Sequence, residues 1–303
     1  MLYLQVLPPP PVCSSVSESI ALSFSGAFDS LAALCLMPNN TSLLSIDFGG
    51  NFTYERNAFK KFNIYSVSTN FRDLNYERAH WTFMGVAAIL YAEALNIKWH
   101  SFGTILEAHF LNHCNQNLVS KFSGSKFLST NMIESGFVKG LTEVGTALVV
   151  AFYMPETLRE TLYATSRPNS EKFLRKKLII DAVLKQRGEQ IDLSIPFKDI
   201  KLRPTKFGTN FVVDFLSLYF YKILGLQSIN IYIEGIPNEI LTLVDGMSLN
   251  FYEKINPIAL NRDIPPEFLE QYLKKLNIVG IEPYNQQDWD EYLAVLKMIN
   301  IIK

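Results

Sequence analysis

Cysteine is scarce in this 303-residue chain, where only Cys13, Cys35 and Cys114 occur, far apart. An odd number without paired spacing argues against a disulfide framework and against a cysteine-built zinc centre. A reducing cytoplasm is the compartment this implies. Neither sign of charge is in excess, with 28 Lys plus Arg against 29 Asp plus Glu and a net charge of -1. Such a chain projects no long-range field toward a polyanion, so nucleic acid is not favoured as a partner. Long hydrophobic runs are missing too. The most apolar stretch, Phe211 to Leu226, is broken by Asp214 and Lys222 and falls short of the ~20 residues that a membrane span needs. It reads as a core helix, and no membrane association is expected. Met1 to Leu7 lacks the basic start of a secretory signal. Finally, a Walker-type phosphate loop, a dinucleotide fingerprint and a hydrolase nucleophile elbow are all absent.

What is present is an apolar content of 48%, enough for one large domain or two modest ones. Residues 1–18 read as a tail whose four prolines, Pro8 to Pro11, favour a stiff polyproline II segment. From Ser19, short β-rich runs alternate with helical ones, which predicts a parallel sheet with crossover helices over residues 19–165. The predicted strands are Ser19–Phe24, Thr41–Asp47, Phe62–Ser68 and Ile97–Phe102. Predicted helices cover Asp29–Leu36, Tyr54–Phe62 and Tyr76–Leu95, the last because Phe83, Ala87, Leu90, Tyr91 and Ala94 recur at spacings of three and four. Residues 166–303 read as a mainly helical region with scattered short strands such as Ser228–Ile233.

The first strand runs straight into Ser25-Gly26-Ala27-Phe28-Asp29-Ser30. A small-residue turn that opens a helix gathers unpaired backbone N–H groups and the positive end of the helix dipole at one point, which suits phosphate. Ser25, Gly26 and Ser30 would supply amide and hydroxyl donors, while Gly26 and Ala27 leave room for the anion. Asp29 is suited to capping the helix and to holding Mg²⁺ against the phosphates. The run resembles the Ser-Gly-Gly-x-Asp-Ser signature of the PP-loop ATP pyrophosphatases, the adenine nucleotide alpha hydrolase group, with Ala27 in place of the second glycine.

Two further segments, Ile46-Asp47-Phe48-Gly49-Gly50 and Tyr91-Ala92-Glu93-Ala94-Leu95, are similar in order and kind to segments of the 7-cyano-7-deazaguanine synthases. Weaker likeness continues through Gly140-Leu141-Thr142-Glu143 and Ser166-Arg167-Pro168. The resemblance implies a Rossmann-like α/β fold with ATP and Mg²⁺ as cofactors. It also implies nucleotide contacts from Ser25 to Ser30 and Asp47, and Arg78 and His80 near the place of a synthase arginine motif. The chain lacks the four zinc cysteines of those enzymes. In their place stand Lys172, Arg175 and Lys176 at helical spacing, with Arg167 upstream, a basic stripe that is either a solvated face or a clamp for a substrate carboxylate or phosphate. His100, His109 and His113, with Glu107 nearby, raise a metal hypothesis but lack a recognised ligand pattern. The expectation is therefore an ATP-dependent ligase that activates a small-molecule carboxylate or amide, with a deazapurine among the acceptors implied. A protein acceptor is the other option, and a homodimer is left open. The alternative is a nucleotide-binding or scaffolding protein of the same fold without turnover.

Overall fold

The computed structural model describes residues 4–6, 18–50, 54–76, 83–108, 111–114, 132–166, 168, 170–189, 191 and 202–301. The chain enters through a short strand, β1 (Leu4–Val6). There follow β2 (Ser19–Ser23), α1 (Phe28–Leu36), β3 (Ser42–Asp47), α2 (Tyr54–Phe59), β4 (Ile64–Thr69), α3 (Val86–Tyr91), β5 (Ile97–Ser101) and β6 (Ile133–Ser135). The strands form one sheet in the order β1-β4-β3-β2-β5-β6. All pairings from β4 through β6 are parallel, and β1 closes one edge antiparallel to β4.

Alternation along β2 shows why the strand sits at the centre. Ile20 and Leu22 enter one hydrophobic cluster and Ala21 the other, so both faces are covered, as parallel sheets require. The chain leaves β2 toward β3 and β4 on one side, then returns to β5 on the other. The strand order therefore reverses between β2 and β5, a topological switch point whose crevice lies outside the carboxyl ends of both strands.

The second half of the chain covers one face. It comprises α4 (Glu143–Tyr153), α5 (Leu158–Thr165), α6 (Glu171–Gln186), β7 (Thr205–Lys206), α7 (Phe211–Leu224), β8 (Ile233–Glu234), α8 (Asn238–Asp245), α9 (Pro257–Asp263), α10 (Pro266–Val279) and α11 (Gln286–Met298). Helix α4 is the hub. Nine consecutive residues from Glu143 to Ala151 are buried, and the helix packs on α1 and α6. The sheet residues Ile20 and Leu22 share one continuous core with Tyr219, Phe220, Tyr252, Tyr272 and Tyr292 of the later helices. Helix α7 is the expected core helix, and it carries Asp214 inside by giving that carboxylate the Gly208 amide, at 3.1 Å. Among the described residues no helix is long and apolar enough to cross a membrane.

Three expectations need correction. The helix predicted over Tyr76–Leu95 is cut short to α3, with residues 77–82 outside the described set. Gly85 stands at its N-cap. The chain after Ala92 turns tightly to Asn96, whose φ of 46° ends the run before β5. Ser228–Ile233 is not a strand: Gly225, at φ 84°, ends α7 and releases the chain into a helical turn, Leu226–Ile229, so that only Ile233–Glu234 pairs. The third is that β1 and β6 were not expected, being three residues long and too short to show a period.

Candidate functional site

The loop Ser25–Ala27 leaves the carboxyl end of β2 at the switch point and opens α1. Gly26 sits at φ 74°, a left-handed conformation that L side chains reach only under strain. Ala27 is the N-cap and its side chain offers no acceptor. The first amides of α1 therefore have neither a side-chain cap nor, by the geometry of any helix start, an intrahelical partner. The segment after β5 approaches them closely. A Cβ on Gly103 would lie 2.8 Å from the Ser30 amide nitrogen, so only glycine lets the two carboxyl-end loops meet.

The loop hydroxyls are partly engaged within the loop itself. Ser30 Oγ donates to the Ala27 carbonyl at 3.0 Å and lies 3.1 Å from Ser25 Oγ, and Ser25 Oγ accepts from the Ala27 amide at 3.3 Å. The turn is thus pre-shaped by its own serines.

Asp29 projects from the first turn of α1 into a network of buried charges. Its Oδ1 accepts from Thr146 Oγ1 at 3.1 Å and faces Lys176 Nζ at 3.2 Å. Lys176 also reaches Glu143 Oε2 at 3.3 Å, and Arg175 Nε lies 3.5 Å from the same oxygen and 3.8 Å from Glu171 Oε1. Lys176 is 3% exposed in its side chain and Glu143 7%. Burial opposes the charge of Lys176, yet Asp29 and Glu143 together hold its pKa above the ordinary lysine value. Burial likewise opposes the charge of Glu143, but Lys176 and Arg175 outweigh it and keep this carboxyl below the usual range.

Glu107 completes the network from the segment after β5. Its Oε1 accepts the Glu143 amide at 2.9 Å, so a carboxyl group sits at the N-terminus of α4, while its buried Oε2 meets no hydrogen-bond partner. Burial, and then the neighbouring Glu143 charge, push Glu107 up to about 8. The helix dipole favours an anion here, but desolvation wins.

The structure brings together Ser25, Gly26, Ala27, Phe28, Asp29, Ser30 and Lys176, with Arg175 one ion pair away. It corrects the solvated-face option for the basic stripe, since Arg175 is largely buried and Lys176 wholly so. Of the three, only Lys172 stands exposed, and among the described residues it makes no ion pair. Asp47 lies at the carboxyl end of β3, with its carboxylate held by Arg56 at 2.7 and 2.9 Å and by the Gly49 amide at 2.9 Å. Burial works against its ionisation, but Arg56, the amide and Arg72 hold it below the ordinary range. Arg78, His80 and Arg167 fall outside the described residues.

Sequence reasoning assigned no role to Thr146, Gly103 or Arg56, and it weighed Glu107 only as a neighbour of a histidine metal cluster. For Glu143 a signal existed, the Thr142-x-x-Gly145 helix start, where Thr142 Oγ1 accepts from the Gly145 amide at 3.1 Å. Of the histidines, His100 and His113 have structural partners. His113 Nδ1 lies 2.9 Å from the Tyr292 hydroxyl and burial lowers the His113 pKa to about 3, while His100 Nε2 lies 2.9 Å from Ser23 Oγ. Among the described residues no three His, Cys, Asp or Glu cluster as a metal site, and His109 falls outside that set. Cys35 is free, Cys13 lies outside the described residues, and so does the side chain of Cys114.

No protein family matches the chain, nor does any curated protein or solved structure.

Proposed function

We propose that the chain binds the phosphates of ATP at the N-terminus of α1 and acts as a PP-loop type adenylating enzyme. It would activate a carboxylate or amide of a small molecule with release of pyrophosphate. One observation carries the reading: a glycine-containing turn with an uncapped helix start stands at the switch point of a five-stranded parallel sheet, between β2 and β5. Backbone donors fixed there before the ligand arrives favour charge that builds on a leaving pyrophosphate, because they need no reorganisation.

Mg²⁺ suits the donor set in a limited way. Asp29 Oδ1 is committed to Lys176 and Thr146, whereas Oδ2 has no partner among the described residues. One carboxylate oxygen plus nucleotide phosphates is an ordinary Mg²⁺ environment. Bound there, the ion would supply charge neutralisation, and this chain's residues would orient the phosphates.

A specific feature favours the second reading, a nucleotide-binding scaffold without turnover. Lys176 already neutralises Asp29, and the serine hydroxyls already satisfy one another. Calorimetric titration with ATP, with and without Mg²⁺, alongside a pyrophosphate-release assay on candidate acids, separates the two. Turnover supports the enzyme, while binding without turnover supports the scaffold. Asp29→Asn should weaken Mg²⁺-dependent binding about tenfold while keeping the fold, because it removes charge and preserves shape. Failure of the wild type to bind any adenine nucleotide overturns both readings.

A further inference from the structure

The buried run of α4 from Val144 to Ala151 is apolar except at Thr146, which is 0% exposed. A hydroxyl taken into such a core costs free energy unless it is bonded. Two acceptors compete for its single proton: the Glu143 carbonyl of its own helix at 3.0 Å, and Asp29 Oδ1, across the packing with α1, at 3.1 Å. A bond to the carbonyl three residues back satisfies a helical threonine locally, so α4 does not need Asp29 in order to bury this side chain. Of the two acceptors the carboxylate is the stronger, because it carries charge.

The carboxylate of Asp29 is held unevenly. Thr146 and Lys176 both meet Oδ1, whereas Oδ2 makes no hydrogen bond among the described residues and reaches solvent, the side chain being 26% exposed. Lys176 by itself does not choose between the two oxygens. Its ammonium is a compact charge with rotatable donors, and it is kept in place by Glu143 Oε2 at 3.3 Å and by the Phe28 ring, 5.8 Å away. It also opposes any cation that approaches Asp29. The threonine hydroxyl is directional and neutral, so it takes one oxygen from the side of α4 without repelling a cation at the other.

We propose that Thr146 is a positioning residue: it pins Asp29 Oδ1 and so presents Oδ2 to the Mg²⁺ that accompanies the nucleotide phosphates. The inference rests on the nucleotide reading above and adds to it the residue that decides how strongly binding depends on the metal. Thr146 is wholly buried, so it acts through Asp29 and touches neither phosphate nor ion.

Calorimetric titration of the full chain with ATP, with and without Mg²⁺, gives the ratio of the two affinities, and a thermal melt accompanies each variant. Thr146→Val keeps the shape and removes the hydroxyl. The preference for the magnesium complex should therefore fall about fivefold, while free ATP binds as before and the melt stays near that of the wild type. Thr146→Ser keeps the hydroxyl but opens a methyl-sized gap in the core, so it should melt lower and yet retain the preference. A packing role alone gives the reverse order. In an Asp29→Asn background Thr146→Val should have no further effect, as for two residues that act as one unit. If the valine variant does not fold, Thr146→Ala against Thr146→Ser serves, since these two differ by the hydroxyl alone. A wild type that binds ATP without preferring the magnesium complex overturns the inference and leaves ATP binding standing. A preference unchanged in Thr146→Val, or lost equally in Thr146→Ser, does the same. A wild type that binds no adenine nucleotide overturns both.

Discussion

Replacing Glu107 with Gln should make the protein more stable at neutral and mildly alkaline pH, and should flatten its dependence of stability on pH. The amide keeps the acceptor that Glu107 Oε1 offers to the Glu143 N–H, so the start of α4 is preserved while the ionisable group is removed. In the folded chain Glu107 holds its proton up to about pH 8, against an ordinary value of 4.5. Between those values the unfolded state binds fewer protons than the folded one, so stability falls as pH rises through the window and is level above it. At about 1.4 kcal/mol per unit the ceiling is on the order of 5 kcal/mol. Relaxation around the buried charge takes part of this, and about 2 kcal/mol is expected between pH 5 and pH 8.

Urea unfolding of the wild type and Glu107→Gln at half-unit pH steps reads the difference directly. His113 contributes to both proteins alike. Its lowered pKa costs stability as pH falls below the ordinary value of 6.5, so the clean comparison lies above that pH. If the two proteins lose stability in parallel from pH 6.5 to 8, Glu107 is ionised in the folded chain and the electrostatic account of the network is wrong.

Lys176→Met leaves Glu143 with Arg175 alone and leaves Asp29 without its cation, so unfolding free energy should drop by about 3 kcal/mol, the cost of breaking a buried pair. An unchanged urea midpoint would show that the network is solvated. Lys172→Gln, in contrast, removes an exposed cation with no ion pair among the described residues, so the urea midpoint should stay put. ATP affinity should fall several-fold, and more so at low salt, because the interaction is screened. Loss of stability without loss of affinity would refute the assignment of Lys172 to the phosphates.

The placement of the loop was legible because two short-range signals coincide there, an apolar run of strand length and a glycine-bearing turn that opens a helical pattern. Two of the four predicted strands, those starting at Ser19 and Ile97, begin at the predicted residue, and the other two begin within two residues of it. The charge network was not legible, for reasons of distance and of side-chain shape. Lys176 and Asp29 are 147 positions apart, and nothing in a local pattern couples them. Lysine also carries a long apolar stem, so a cationic stripe on a helix can face inward when acids wait there. In α6 the neighbours Phe173, Leu174, Leu178 and Ile179 are all buried, which turns Lys176 into the core along with them. Glu107 was noticed only as a neighbour of the histidines, because its place in the network depends on the amide of a residue 36 positions away.

On the proposed reading, the charge count at the switch point constrains how a nucleotide would enter. Asp29, Glu143 and Glu171 face Lys172, Arg175 and Lys176, and Glu107 adds no charge while it holds its proton. Arg175 and Lys176 are already committed to acids, so a triphosphate arriving without a metal meets only Lys172 and the roughly half charge of the α1 N-terminus. That is too little for several phosphate charges in a partly buried site. Two routes remain: the nucleotide comes with Mg²⁺, or Lys176 leaves Asp29 for the phosphates and Asp29 turns to the metal. The second route gives up the Asp29 ion pair but leaves Lys176 near Glu143. On either route, under the proposed reading, free ATP should bind more weakly than its magnesium complex, and Asp29 would be the residue through which that difference is expressed.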